Sequence, residues 1–126
     1  MSWAEERIQA VKEMLDRLLM ELKELERRRD ELLSEMEKLK AVEGCLEYKA
    51  VRNPAGQVYH YWYLRVREGD KLKSIYLGKD VPEHVLKGIS DRKRLKSLKK
   101  ELDEVCERIT KICRVLSKVE QALSQL

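Results

Sequence analysis

Between Val58 and Gly78 the chain reads VYHYWYLRVREGDKLKSIYLG, in which Tyr59, Tyr61, Tyr63, Arg65 and Arg67 occupy every second position. Residues two apart in an extended segment share one face. The spacing therefore predicts three phenol rings and two guanidinium groups side by side, a surface that can stack on flat rings and neutralise phosphate. No converging catalytic set accompanies it. His60 lies in the strand among the tyrosines, His84 follows Pro82, no Ser/His/Asp or Cys/His arrangement is evident, and no phosphate-cradling glycine loop occurs. The expectation is a binding protein and not an enzyme, with no cofactor.

A sheet must hold these residues. Val58 to Arg67 and Lys71 to Leu77 are β-favouring runs on either side of Glu68-Gly69-Asp70, and Cys45 to Arg52 forms a third run ahead of Asn53-Pro54-Ala55-Gly56. In that tetrapeptide Pro suits position i+1 of a type I turn and Gly the left-handed bulge position. With Asn53 facing Gln57, Leu46 pairs with Leu64 and Tyr48 with Trp62 on a packing face. Lys49, Tyr59, Tyr61, Tyr63, Arg65 and Arg67 then share the other. The second hairpin has two registers open to it. A three-residue loop sets Ile75 and Leu77 beside the tyrosines, and a two-residue loop sets them beside Leu64 and Trp62.

Heptad segments flank the β insert. Ile8, Val11, Leu15, Leu18, Leu22, Leu25, Leu32, Met36 and Leu39 keep a 3-4 spacing broken only by Arg29, and Leu95, Leu98, Leu102, Val105, Ile109, Ile112, Leu116, Val119, Leu123 and Leu126 keep it without a break. Equal seams predict an α+β fold: a long antiparallel two-helix coiled coil with a small three-stranded antiparallel β-sheet inserted at one end. Matching the seam ends sets Leu39 beside Leu95 and Ile8 beside Leu126, with Arg29 near Val105 and within reach of Asp103, Glu104 or Glu107. The 126 residues are read as a single domain: a helix over 1–43, the insert over 44–79, a short helix and bend over 80–89, and a helix over 90–126. Asp80-Val81-Pro82-Glu83 reads as the N-cap with Pro in the first turn, and Gly88 with Ser90-Asp91 as the bend. Met14, Leu19, Leu33, Cys106, Cys113, Val115 and Ala122 widen the apolar stripe beyond what two strands need, which predicts a homodimer through the coiled-coil helices as a four-helix bundle.

Composition narrows the class. Hydrophobic residues make up 43% and charged residues 40% of a chain without Phe, as in coiled coils. No apolar run approaches the ~18 residues of a membrane span, and the acidic N-terminus is unlike a signal peptide, so a soluble cytoplasmic protein is expected. Cys45, Cys106 and Cys113 form no CxxC pair and predict neither a disulfide framework nor a metal site. Residues 1–43 carry 9 basic and 12 acidic side chains, 44–81 carry 7 and 4, and 82–126 carry 11 and 7. Charge therefore turns positive at the insert and the start of the second helix. The residues expected to meet nucleic acid are Lys49, Tyr61, Tyr63, Arg65, Arg67, Lys71, Lys73 and Lys79 in the insert, with Arg92, Lys93, Arg94 and Lys96 gripping backbone. A protein-binding or oligomerisation rod is the other reading.

The run Tyr61-Trp62-Tyr63-Leu64-Arg65, Gly69, Lys71, Ser74 and Tyr76-Leu77-Gly78-Lys79 resembles a family of small uncharacterised proteins of archaea and mobile elements, in which a YxYLR…GK..S.YLGK unit sits between coiled-coil helices. Similar hairpins stand near the N-termini of some transposases and integrase-like proteins, where they contact DNA, and the resemblance favours DNA over RNA. Bacterial relatives carry a Cys-rich segment ahead of the hairpin; here Cys45 stands alone. The layout is also similar to prefoldin, whose apolar tips differ from the basic, Tyr-rich insert of this chain.

Overall fold

A computed structural model describes residues 2–126. The element order is α1 (Trp3–Glu37), β1 (Cys45–Arg52), β2 (Val58–Glu68), β3 (Lys71–Gly78) and α2 (Glu83–Ser124). The α+β class is as the sequence predicts. Two compact units form, one of Met1–Lys38 with Ser97–Leu126 and one of Leu39–Lys96, and α2 contributes to both.

The first unit is the helical pair. Ser2 caps α1, its hydroxyl accepting the Glu5 amide at 3.2 Å. Leu32, Leu98 and Ile112 are buried at the seam. Arg28 donates through Nε and Nη2 to both Glu101 carboxylate oxygens, each at 3.0 Å, and Arg108 does the same to Glu21 at 2.6 and 3.0 Å. Partners descend along α1 as they ascend along α2, so the helices are antiparallel. In each pair the residue numbers total 129, not the 134 implied by aligned seam ends, a displacement of five residues or about 7.5 Å along the axis. Arg29 accordingly does not reach Asp103, Glu104 or Glu107; its Nε meets Asp30 on its own helix at 3.3 Å. On α1 its neighbour Arg28 makes the cross-helix pair instead, on the flank of the seam.

In the second unit several expectations change. The first helix ends at Glu37 rather than at residue 43. Residues 39–44 leave the helix because their polar groups have partners on α2: the Lys40 amide donates to Asp91 Oδ2 at 3.1 Å, the Val42 amide to the Gly88 carbonyl at 2.9 Å, and the Gly44 carbonyl accepts Arg92 Nη1. Leu39 is thus not a seam residue. Nor does α2 bend at Gly88; it is one helix of 42 residues. Gly88 serves close approach instead, since a Cβ there would lie 2.1 Å from Val42 Cγ2. Asp91 receives the connector and does not recap a helix. At the N-terminus, the Pro82 carbonyl accepts from the Val85 and Leu86 amides and helix follows from Glu83, so Asp80 lies outside the first turn.

The sheet has order β1-β2-β3 and is antiparallel throughout. Leu46 faces Leu64 and Tyr48 faces Trp62, the register set by the first turn. There the Asn53 amide donates to the Gln57 carbonyl at 2.9 Å, the Gln57 amide donates to Asn53 Oδ1 at 2.9 Å, and Gly56 has φ +85°. The second hairpin takes the two-residue loop, with Glu68 opposite Lys71. Gly69 at φ +61° followed by Asp70 at negative φ is the pattern of a type II′ turn, which suits the strand twist. Ile75 therefore faces Leu64, and a bulge at Leu77 sets Gly78 against Trp62.

Gly88→Ala should destabilise the protein by about 1–3 kcal/mol through overpacking against Val42, read by urea unfolding, and adding Val42→Ala should return part of the loss. Equal stability of Gly88→Ala and the parent would show that the connector does not need this contact. The Arg108 guanidinium, hydrogen-bonded to Glu21, holds that carboxyl below the ordinary carboxylate range. Such a group contributes stability above its unfolded pKa and loses it as pH falls through the depressed folded value. The melting temperature should drop below about pH 4, and Glu21→Gln should flatten that drop; identical pH profiles would rule out the pair as a contributor.

Candidate nucleic-acid interface

Alternation along the observed register assigns each side chain to one sheet face. One face carries Lys49, Tyr59, Tyr61, Tyr63, Arg65 and Arg67, as the sequence predicts, joined by Glu47 from β1 and by Leu72, Ser74 and Tyr76 from β3. Tyr59 and Tyr61 stack with centroids 6.4 Å apart, and Tyr76 meets Tyr61 and Tyr63 edge-on at 5.6 and 5.5 Å. Tyr76 completes the ring cluster. Its place depends on the two-residue loop, which the sequence left open. The Lys49 ammonium sits 5.5 Å from the Tyr63 ring centroid, a cation–π contact that holds the charge over the cluster.

The cations of this face differ in what else they touch. Arg65 meets Glu47 at 3.4 Å, an exposed pair that offsets part of its charge. Arg67 is exposed and has no ion-pair partner among the described residues. The face thus carries three cations, Lys49, Arg65 and Arg67, against one carboxylate, Glu47, an excess of two.

Other expected residues fall elsewhere. Lys71 and Lys73 pair with Glu68 and Val66 on the opposite face, Lys73 lying 3.9 Å from Glu68. They do not join the tyrosines, because the two-residue loop fixes their parity. Lys79 is exposed just past β3. On α2, Lys93, Arg94 and Lys96 are exposed, whereas Arg92 is half-buried with its guanidinium on the Gly44 carbonyl, a contact that anchors the insert. His60 stacks on Tyr48 at 5.2 Å with 20° between planes, on the face opposite Tyr59, Tyr61 and Tyr63.

That opposite face is buried over only part of its length. Leu64 is buried and Leu46 and Trp62 half-buried, but Tyr48, Val58 and His60 are exposed. The pairing of β3 with β2 reaches only to Trp62. Beyond it Lys49–Arg52 and Val58–Tyr61 form a two-stranded ribbon with rings on both faces: Tyr59 and Tyr61 on one, and on the other His60, which stacks on Tyr48 at the base of the ribbon. Among the described residues no group of His, Cys, Asp and Glu is placed to hold a metal ion, and no helix is long and apolar enough to cross a membrane.

These features define an α+β protein in which a β-meander presents a ring-and-cation face. The chain belongs to the family described as a domain of unknown function, DUF6788, which matches residues 22–87. The match takes in the second half of α1, the whole sheet and the first turn of α2, reaching further toward the N-terminus than the hairpin that carries the resemblance. No curated protein and no solved structure matches the chain.

Proposed function

We propose that the protein binds nucleic acid, DNA in preference to RNA, through the tyrosine face of its sheet and the ribbon beyond Trp62. The observation that carries this reading is the register, which gathers Lys49, Tyr61, Tyr63, Arg65 and Arg67 with Tyr76 on one surface. Cations there suit phosphate and the phenol rings suit bases or sugar edges. A two-stranded ribbon is of a size to enter a major groove about 12 Å wide. Lys93, Arg94 and Lys96 add positive charge to the same compact unit. The likeness of the hairpin to DNA-contacting hairpins of transposases and integrase-like proteins supports DNA and a role with mobile elements.

Binding to a fluorescent duplex, followed by anisotropy across about 50 to 200 mM salt, should lose affinity with a log–log slope of about −0.9 for each phosphate contacted. A slope near zero would contradict the reading. Arg65→Ala with Arg67→Ala should weaken binding several-fold, while Lys71→Ala with Lys73→Ala, on the opposite face, should leave it within about twofold of the parent. Equal losses in the two double variants would remove the tyrosine face as the interface. Glu47→Gln, which frees Arg65, should tighten binding, and weaker binding by that variant would count against the assigned face.

A further inference from the structure

The two cross-helix ion pairs belong to one row. Arg28 and Glu21 are seven residues apart on α1, and Glu101 and Arg108 seven apart on α2, so both pairs lie on the same flank of the seam. One heptad further toward the chain ends the same row holds Met14 on α1 and Val115 on α2. Both are well exposed, Met14 at 57% and Val115 at 44%. A lone pair of helices would favour a third ion pair there. Two apolar side chains occupy it instead, and the seam beside them is open as well: Val11 is 50% exposed, Ile8 58% and Leu123 64%. Trp3, exposed under the Arg7 guanidinium at 5.7 Å, lies eleven residues before Met14 and so extends this flank.

We infer that a second copy of this chain covers the flank marked by Met14 and Val115, forming a four-helix bundle whose two-fold axis runs parallel to the helices. Charge selects both the occupant and the axis. From Lys111 onward α2 carries Lys111, Arg114 and Lys118 against Glu120 alone, whereas α1 from Trp3 to Met20 carries Glu5, Glu6, Glu13 and Asp16 against Arg7, Lys12 and Arg17. Two hairpins meeting face to face can set α1 on the partner's α1 and α2 on its α2, which confronts three cations with their own copies. The alternative sets α1 on the partner's α2. Rotation about an axis parallel to the helices gives that second arrangement, in which cationic α2 meets the more acidic α1. It also sets the chain ends of both copies at the same end of the bundle.

Sedimentation equilibrium of the full chain at about 50 μM should give twice the chain mass; a monomer would overturn the inference. Met14→Glu with Val115→Arg extends the ion-pair row in the sense of Glu21–Arg108 and should give a monomer with the helical circular dichroism of the parent. A folded dimer of that variant would overturn the assigned flank. The axis is read from spin labels at Lys99→Cys in a chain whose three cysteines are replaced. Labels within about 30 Å of each other fit the parallel axis, and about 50 Å or more, from 16 residues of rise on each side of Val115, would exclude it.

Discussion

The constraint on which the molecule most depends is the parity of its sheet. Side chains alternate between faces, so a slip of one residue in the β1–β2 register would exchange every ring and cation with the side chains behind it. The turn from Asn53 to Gln57 holds that register. Asn53 bonds across to Gln57 through both backbone and side chain, and Gly56 adopts the positive φ that returns the chain. The same parity that gathers Tyr59, Tyr61 and Tyr63 sends Leu46, Trp62 and Leu64 to the back. The turn thereby fixes both what the sheet buries and what it presents.

The insert is held to α2 by main-chain groups as much as by packing. Successive points of the connector, Lys40, Val42 and Gly44, meet Asp91, Gly88 and Arg92. These partners lie within one turn and a half of helix, and the contact is close enough that only a hydrogen fits at Gly88. An arginine whose composition suggests a ligand contact is thereby spent on architecture. Charge runs of this kind mix residues that face solvent with residues that tie the chain together.

The strands were legible because β-branched and aromatic residues alternate between clear turn signals, and Asn53-Pro54-Ala55-Gly56 names its own geometry. The first register and the tyrosine face followed from it. The second register did not, because Glu68-Gly69-Asp70 closes a hairpin in either of two ways, and with it went the side occupied by Lys71, Lys73 and Tyr76. The helix limits differ from the sequence pattern for a related reason. Apolar spacing continues to Leu39 although the helix stops at Glu37, and Gly88 looks like a break when its missing side chain serves a neighbour distant in sequence. Heptads revealed the antiparallel pair but not its axial setting, which rests on Arg28–Glu101 and Glu21–Arg108, contacts that no local pattern specifies.

The shortness of β3 gives the sheet a gradient of stiffness. At its root three strands share hydrogen bonds and lean on Leu64, while past Trp62 each strand has a single neighbour and neither face is covered. Two-stranded ribbons coil more freely than wider sheets. The aromatic finger can therefore wind to follow a curved surface while its base keeps its shape, and the point where compliance begins is set by where a neighbouring strand ends.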